Sequence, residues 1–232
     1  MKRKRKKLAK KTVVIAVAAV AICALLAVAA AAIRLLVLTN RIRDDYSAVF
    51  AEEKYKSPVS VDNVEVITQK VSCGYAVIEM FSSWGGGDIT EEKLYETYGK
   101  VVTSTGKAFC AEMNKQFPAY QTTMHKWLKN TELIELLYEN LSAGIPVPFE
   151  WAALYGNEWT LHYSLVVGMD IPGNTIRVAN PYGYFEDLSV DAFLERTSFE
   201  AYENMPLFLK LGFAVGIFEK NAFFSVYPQT AT

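Results

Sequence analysis

Leu161-His162-Tyr163-Ser164-Leu165-Val166-Val167-Gly168-Met169, then Pro172-Gly173-Asn174, then Thr175-Ile176-Arg177-Val178-Ala179-Asn180-Pro181 carries the strongest structural signal in the chain. β-Branched and aromatic residues dominate both arms, which favours strands. Pro-Gly-Asn supplies the backbone conformations of a tight reversal. The stretch therefore predicts an antiparallel hairpin over residues 162–169 and 175–179, ended by Asn180-Pro181. In such a hairpin the start of one arm lies beside the end of the other. His162 stands eleven residues before Gly173 and Asn180 seven after it. With a bulge or a slanted register, the imidazole and the amide can meet.

The pattern changes on moving outward. Residues 145–151 read as another strand, and residues 189–196 as a short helix. Residues 131–141 form an amphipathic helix, with Leu133, Leu136, Leu137 and Leu141 on one face and Gly144 beyond its end. Earlier still, Cys73-Gly74-Tyr75-Ala76-Val77-Ile78-Glu79-Met80-Phe81 carries apolar residues at helical spacing and ends at Gly85-Gly86-Gly87. Thr90 caps a second helix, with Glu91 and Glu92 in its first turn and Gly99 past its end. Residues 46–56 suggest a short helix and 64–67 a weak strand, while 100–120 gives no clear pattern. The apolar residues 206–218, interrupted by Lys210, are too few to span a bilayer comfortably. They predict a core strand or an element lying against a membrane surface. Helices first and an antiparallel sheet later is the α+β pattern.

Charge divides the chain differently. The formal net charge is −1, yet eight of the first eleven residues are Lys or Arg, so the remainder carries roughly −9 by subtraction. An acidic, aromatic-rich remainder argues against a nucleic-acid partner, which needs a basic surface. Residues 13–32 are uncharged and apolar, enough for a helix about 30 Å long, the thickness of a bilayer core. The organisation expected is a basic cytoplasmic tail over 1–12, a transmembrane helix over 13–38, a linker over 39–63 and one domain over 64–232. The basic block before the span predicts the N-terminus in the cytoplasm and the domain outside; a bacterial cell envelope is the expected setting. Secretion after signal cleavage is the competing reading, since Ala-x-Ala triplets occur near residues 28–32.

A thiol at a helix start has a chemical use, because the helix N-terminus and a neighbouring imidazolium both favour thiolate. Cys73 is so placed, and Gly74 lets backbone approach a substrate carbonyl. Of the two histidines, His125 lies in a polar stretch without an orienting pattern, whereas His162 opens an apolar strand. Asn180 can orient its ring, and Gln69 can donate to an oxyanion together with the Cys73 N–H. Each residue also has a plain structural reading: a small packed thiol, a sheet-edge histidine, an Asn-Pro turn, a loop glutamine. Cys110 leaves a disulfide with Cys73 open.

The order Gln69…Cys73-Gly74…His162-Tyr163…Asn180-Pro181 resembles the papain-like cysteine peptidases. With Gly144-Ile145-Pro146-Val147 leading into the sheet, it looks more specifically like the bacteriocin-processing peptidases of family 39 and their stand-alone relatives. The resemblance covers most of residues 64–200. It implies a papain-like α+β fold, N-terminal helices packed on an antiparallel sheet, preceded here by one transmembrane helix. It also implies peptide or protein substrates, Cys73 as nucleophile, His162 as base, Asn180 as its orienting partner and Gln69 at the oxyanion. No metal or other cofactor is expected. Members often carry Asp where this chain has Asn180, and the Gln-to-Cys spacing is short. Nothing resembles a phosphate-binding loop, so the ATPase of the transporter-linked members has no counterpart in these residues. A catalytically inactive peptide-binding module, or a thiol acyl or peptidyl transferase on the same scaffold, are the alternative functions.

Overall fold

The computed structural model describes residues 2–200 and 205–229, with side chains from residue 11. Two compact units are present, Met1–Leu38 and Thr39–Thr232. The first is dominated by α1 (Lys2–Ile42), at 1.5 Å per residue about 60 Å long. Its apolar stretch has a mean hydropathy of 3.0 and is exposed on all sides, from Val13 to Val37. By length and composition it can cross a membrane. The side chains of residues 2–10, which carry most of the basic block, lie outside the described residues.

The second unit contains β1 (Val59–Ser60), α2 (Cys73–Trp84), α3 (Glu91–Tyr98), α4 (Gly106–Gln116), β2 (Tyr120–His125), α5 (Asn130–Ser142), β3 (Val147–Tyr155) and β4 (Glu158–Asp170). After these come β5 (Thr175–Asn180), β6 (Tyr184–Leu188), α6 (Val190–Thr197), α7 (Leu207–Val215) and β7 (Phe223–Pro228). Among the described residues, seven strands make one antiparallel sheet in the order β2-β7-β3-β4-β5-β6, with β1 beside β4. This is an α+β fold, with an important addition: helices cover both faces. Leu133 and Leu137 of α5 and Phe193 of α6 pack with Phe149, Trp151 and Val178 on one face. Tyr75 and Phe81 of α2 and Phe109 of α4 pack with Tyr163, Leu165 and Phe224 on the other. Burial on both faces explains why β3 and β4 read as nearly continuous apolar runs rather than alternating ones.

Several expectations are corrected. Residues 39–63 are not a free tether. Val49, Tyr55 and Val61 enter the core, two short 3₁₀ helices (Ser47–Ala51 and Glu53–Tyr55) replace the expected helix, and β1 joins the sheet. Residues 64–67 form no strand; Val64, Val66 and Ile67 pack as extended chain against the core. Residues 206–218 form neither a strand nor a fully buried element: α7 buries Leu209, Gly212 and Phe213 and exposes its other side. The unreadable residues 100–120 contain α4 and lead into β2, a half-buried strand whose partner β7 lies about a hundred residues away.

Candidate active site

The helix that carries Cys73 begins where the sequence places it. Ser72 is extended, and its hydroxyl accepts from the Tyr75 N–H at 3.2 Å, so Cys73 is the first residue of α2. Amides in a first turn have no partner within their own helix. Those of Gly74 and Cys73 face the sulfur, as does the Tyr163 amide of β4, and all three draw the thiol pKa down. Burial outweighs them, and the charge of Glu150 adds to burial, so the Cys73 thiol is pushed up to about 11. Gly74 is needed for a reason other than substrate approach. A Cβ there would stand 2.3 Å from Oγ1 of buried Thr103.

His162 and Asn180 are brought together by a bulge. Near the turn, β4 and β5 pair in the register Gly168↔Arg177, Met169↔Ile176 and Asp170↔Thr175. Continued unbroken, that register would set Asn180 opposite Leu165, on the face away from His162. Instead Val166 pairs with Val178 and Leu165 with Ala179, leaving Val167 as the extra residue. A one-residue shift moves every later side chain to the other face. Asn180 therefore shares a face with His162, and their side chains join through Nε2 and Oδ1 at 3.1 Å. The carbonyl of Val167 accepts from the Val61 N–H at 2.8 Å, so the segment that carries β1 secures the bulge.

The amide of Asn180 has one satisfactory orientation. Oδ1 accepts from the Tyr182 backbone N–H at 3.0 Å, while Nδ2 donates to Glu186 Oε2 at 3.0 Å. An oxygen so placed requires His162 to carry its proton on Nε2 and leaves Nδ1 free to exchange one. The Tyr182 ring stacks on the imidazole with centroids 4.2 Å apart. Glu186 pairs with Arg196, whose Nε donates to the Ala152 carbonyl at 2.8 Å and whose guanidinium lies 3.6 Å over the Trp151 ring. Burial lowers the His162 pKa to about 4; the Asn180 hydrogen bond opposes this and the Arg196 charge reinforces it.

Gln69 belongs to the same cleft. Its N–H donates to the Pro181 carbonyl at 2.8 Å, and the amides of Lys70 and Val71 donate to Glu91 Oε2 at 2.7 and 3.0 Å. The loop is thus clamped between α3 and the Asn180-Pro181 turn. Gln69, Cys73, His162 and Tyr182 line an open cleft of about 280 Å³, walled by Tyr155, Glu158, Thr160 and Leu161 from the tip of the β3–β4 hairpin. The sulfur and the ring share this cleft, and neither sets the other's ionisation. Both shifts favour the uncharged forms, a thiol and a neutral imidazole. A larger cavity, about 510 Å³ and lined by Lys70, Glu79 and Glu91 among others, contains neither group.

The residues that sequence reasoning missed support the site from behind. Tyr182, Glu186, Arg196 and Trp151 hold the His162–Asn180 pair. Glu150 is 1% exposed, directly opposite Tyr163 across β3 and β4, and burial pushes its carboxyl up to about 7. Reading Tyr184–Leu188 as a strand would have exposed one signal, because Glu186 pairs with Val178 and so shares Asn180's face. His125 and Cys110 stand apart from the cleft: His125 Nε2 meets Ser225 Oγ at 2.8 Å, and Cys110 Sγ lies 3.5 Å from the Thr122 carbonyl. Cys73 and Cys110 are both free thiols. Among the described residues, no group of three or more His, Cys, Asp or Glu is arranged to hold a metal ion.

The sequence model of the Peptidase_C39 like family matches residues 61–206, and the chain belongs to that family. Among solved structures, it is similar to a double glycine motif protease from an AMS/PCAT transporter, crystallised in complex with the leader peptide. Identity is 14% and the TM-score 0.48, over 74% of this chain and 98% of that one. No curated protein matches.

Proposed function

We propose that the protein is a thiol peptidase, anchored by α1 with its catalytic unit outside the cytoplasm. The observation that carries this reading is the His162–Asn180 pair, which holds the ring by Nε2 beside the cleft that Cys73 enters. In the reaction, His162 Nδ1 takes the thiol proton as the sulfur attacks a peptide carbonyl. The Cys73 N–H and the Gln69 side chain stabilise the oxyanion. Protonated His162 then gives its proton to the leaving amine as the C–N bond breaks, leaving a thioester. Water, deprotonated by His162, cleaves the thioester and restores the thiol. The basic block at the start of α1, ahead of its apolar stretch, supports the orientation.

Peptide hydrolysis by the full chain in detergent or vesicles tests the assignment. Cys73→Ala is expected to reduce turnover to background, and His162→Ala to lower it by about 10²–10⁴-fold, the usual contribution of a general base. His125→Ala and Cys110→Ser are expected to leave it unchanged. Turnover retained in Cys73→Ala rejects the mechanism. An added amine acceptor distinguishes hydrolysis from transfer: a new amide product in place of the free acid identifies a transferase.

A second reading has its own support. A thiol held near 11 beside an imidazole held near 4 is also what a peptide-binding module without catalysis would contain. Saturable peptide binding with no cleavage, unchanged in Cys73→Ala, establishes that reading instead.

A further inference from the structure

Helix α7 is at odds with a water-facing surface. Leu207, Phe208, Leu211 and Val215 are 69%, 65%, 56% and 62% exposed, and Ile217 just beyond is 58% exposed. Positions 208, 211 and 215 follow the i, i+3, i+7 rule and 207, 211 and 215 the i, i+4, i+8 rule, so they form one stripe. The opposite side is fixed to the protein. Leu209 and Phe213 are buried, and a Cβ on Gly212 would stand 2.3 Å from the Phe218 ring. Elsewhere among this unit's described residues, large exposed apolar side chains occur along the chain only singly or in adjacent pairs. A contiguous apolar stripe on a folded surface marks something that covers it.

The position of the stripe identifies the cover. Phe213 packs on Phe199 with centroids 4.7 Å apart, and the neighbouring Glu200 accepts from Arg43 Nε at 2.6 Å. Ile42, the last residue of α1, is fully buried in this unit. Helix α7 therefore lies beside the point where the chain enters the domain, which in an anchored protein is the membrane surface. The flanking charge fits that setting. Arg41, next to the buried Ile42, is an exposed cation suited to anionic headgroups, and its aliphatic stem can lie along the apolar layer.

We propose that the exposed face of α7 docks into the headgroup region of the bilayer that α1 crosses, giving the catalytic unit a second membrane contact. This rests on the anchoring reading above, and the test separates the two. The full chain, with Cys23→Ala, Cys73→Ser and Cys110→Ser, would carry one nitroxide at a time through Leu26→Cys, Glu139→Cys or Leu211→Cys. It would be reconstituted into vesicles of phosphatidylcholine and phosphatidylglycerol. Collision with oxygen and with a water-soluble nickel chelate gives the depth of each label. The label at 211 is expected to lose nickel accessibility and to sit about 5–10 Å below the headgroup surface. The label at 139, on exposed α5 surface, should remain water-accessible, and the label at 26 should report the hydrocarbon core. If 211 behaves like 139 while 26 is in lipid, the docking inference fails and the anchor stands. If 26 is in water, the anchor reading fails and takes the inference with it. Dipolar broadening at 211 that grows with protein density would show a second copy on the stripe and also overturn the inference.

Discussion

Asn180 occupies a position where the resembled peptidases often carry Asp, and its neighbours explain the difference. Its Nδ2 donates to Glu186, which is committed to Arg196, while its Oδ1 serves both His162 and the Tyr182 amide. A carboxylate at 180 would face the Glu186 carboxylate without a donor between them, and like charges so close oppose ionisation. Asn180→Asp is therefore expected to destabilise the chain by about 1–3 kcal/mol, the usual cost of leaving a buried polar group unsatisfied. It should lower hydrolysis as well. Glu186→Gln in the same chain returns a donor and should recover most of both losses. Denaturant unfolding and peptide turnover of the two variants check this; an Asn180→Asp chain as stable and active as wild type rejects the network. The thiol adds a second expectation at this scale. In a Cys23→Ala, Cys110→Ser background, alkylation of Cys73 should keep rising with pH beyond 9, because burial and Glu150 hold the thiol up to about 11. Removing the Glu150 charge with Glu150→Gln should lower the midpoint. A midpoint near neutrality would instead reveal a resting thiolate–imidazolium pair.

Among the elements, the bulge at Val167 decides whether His162 and Asn180 meet. Deleting Val167 should make the β4–β5 register continuous and turn Asn180 to the face away from His162. Hydrolysis is then expected to fall at least as far as in Asn180→Ala, and the backbone carbonyl that Val61 uses is lost as well. Circular dichroism separates a folded, inactive deletion from an unfolded one, and full activity in a folded deletion contradicts the register argument. This element also shows where sequence reading stops. The strands, the turn and the proximity of residues 162 and 180 were legible from composition and spacing, because they depend on local preferences. The bulge has no local signature; it is fixed by β1 and Val61, from a segment that reads as a polar linker. Helices α2, α3, α5 and α6 were legible through their caps and apolar period. Strand β2 was not, since Tyr120–His125 is half-polar and its pairing with β7 is a long-range fact. For α7 the core-strand alternative failed because the helix is apolar on its exposed side as well, the reverse of the pattern that marks a surface helix.

Across the whole molecule, the supports of the site imply an unusual dependence of stability on pH. His162 is 2% exposed, and burial lowers its pKa from 6.5 to about 4. A folded-state pKa below the unfolded value means that unfolding takes up a proton between those limits. His162 therefore contributes its full stability above pH 6.5 and loses it as pH falls towards 4, about 3 kcal/mol in all. Glu150 acts in the opposite sense. Its carboxyl is raised from 4.5 to about 7 by burial, so its contribution is complete below pH 4.5 and is lost as pH rises towards 7, again about 3 kcal/mol. Between pH 4.5 and 6.5 the two slopes oppose each other and nearly cancel. Each single variant should unmask the other group. Glu150→Gln leaves His162 alone, so stability should rise by about 2 kcal/mol from pH 4.5 to 6.5 relative to wild type. His162→Gln leaves Glu150 alone and should fall by a similar amount. Urea midpoints of the full chain in detergent at the two pH values measure both slopes. The remaining carboxylates titrate alike in all three proteins, so the differences belong to these two residues. If both variants keep the wild-type slope, neither group has the burial assigned to it, and a buried acid on one side of the sheet balancing a buried base on the other is excluded.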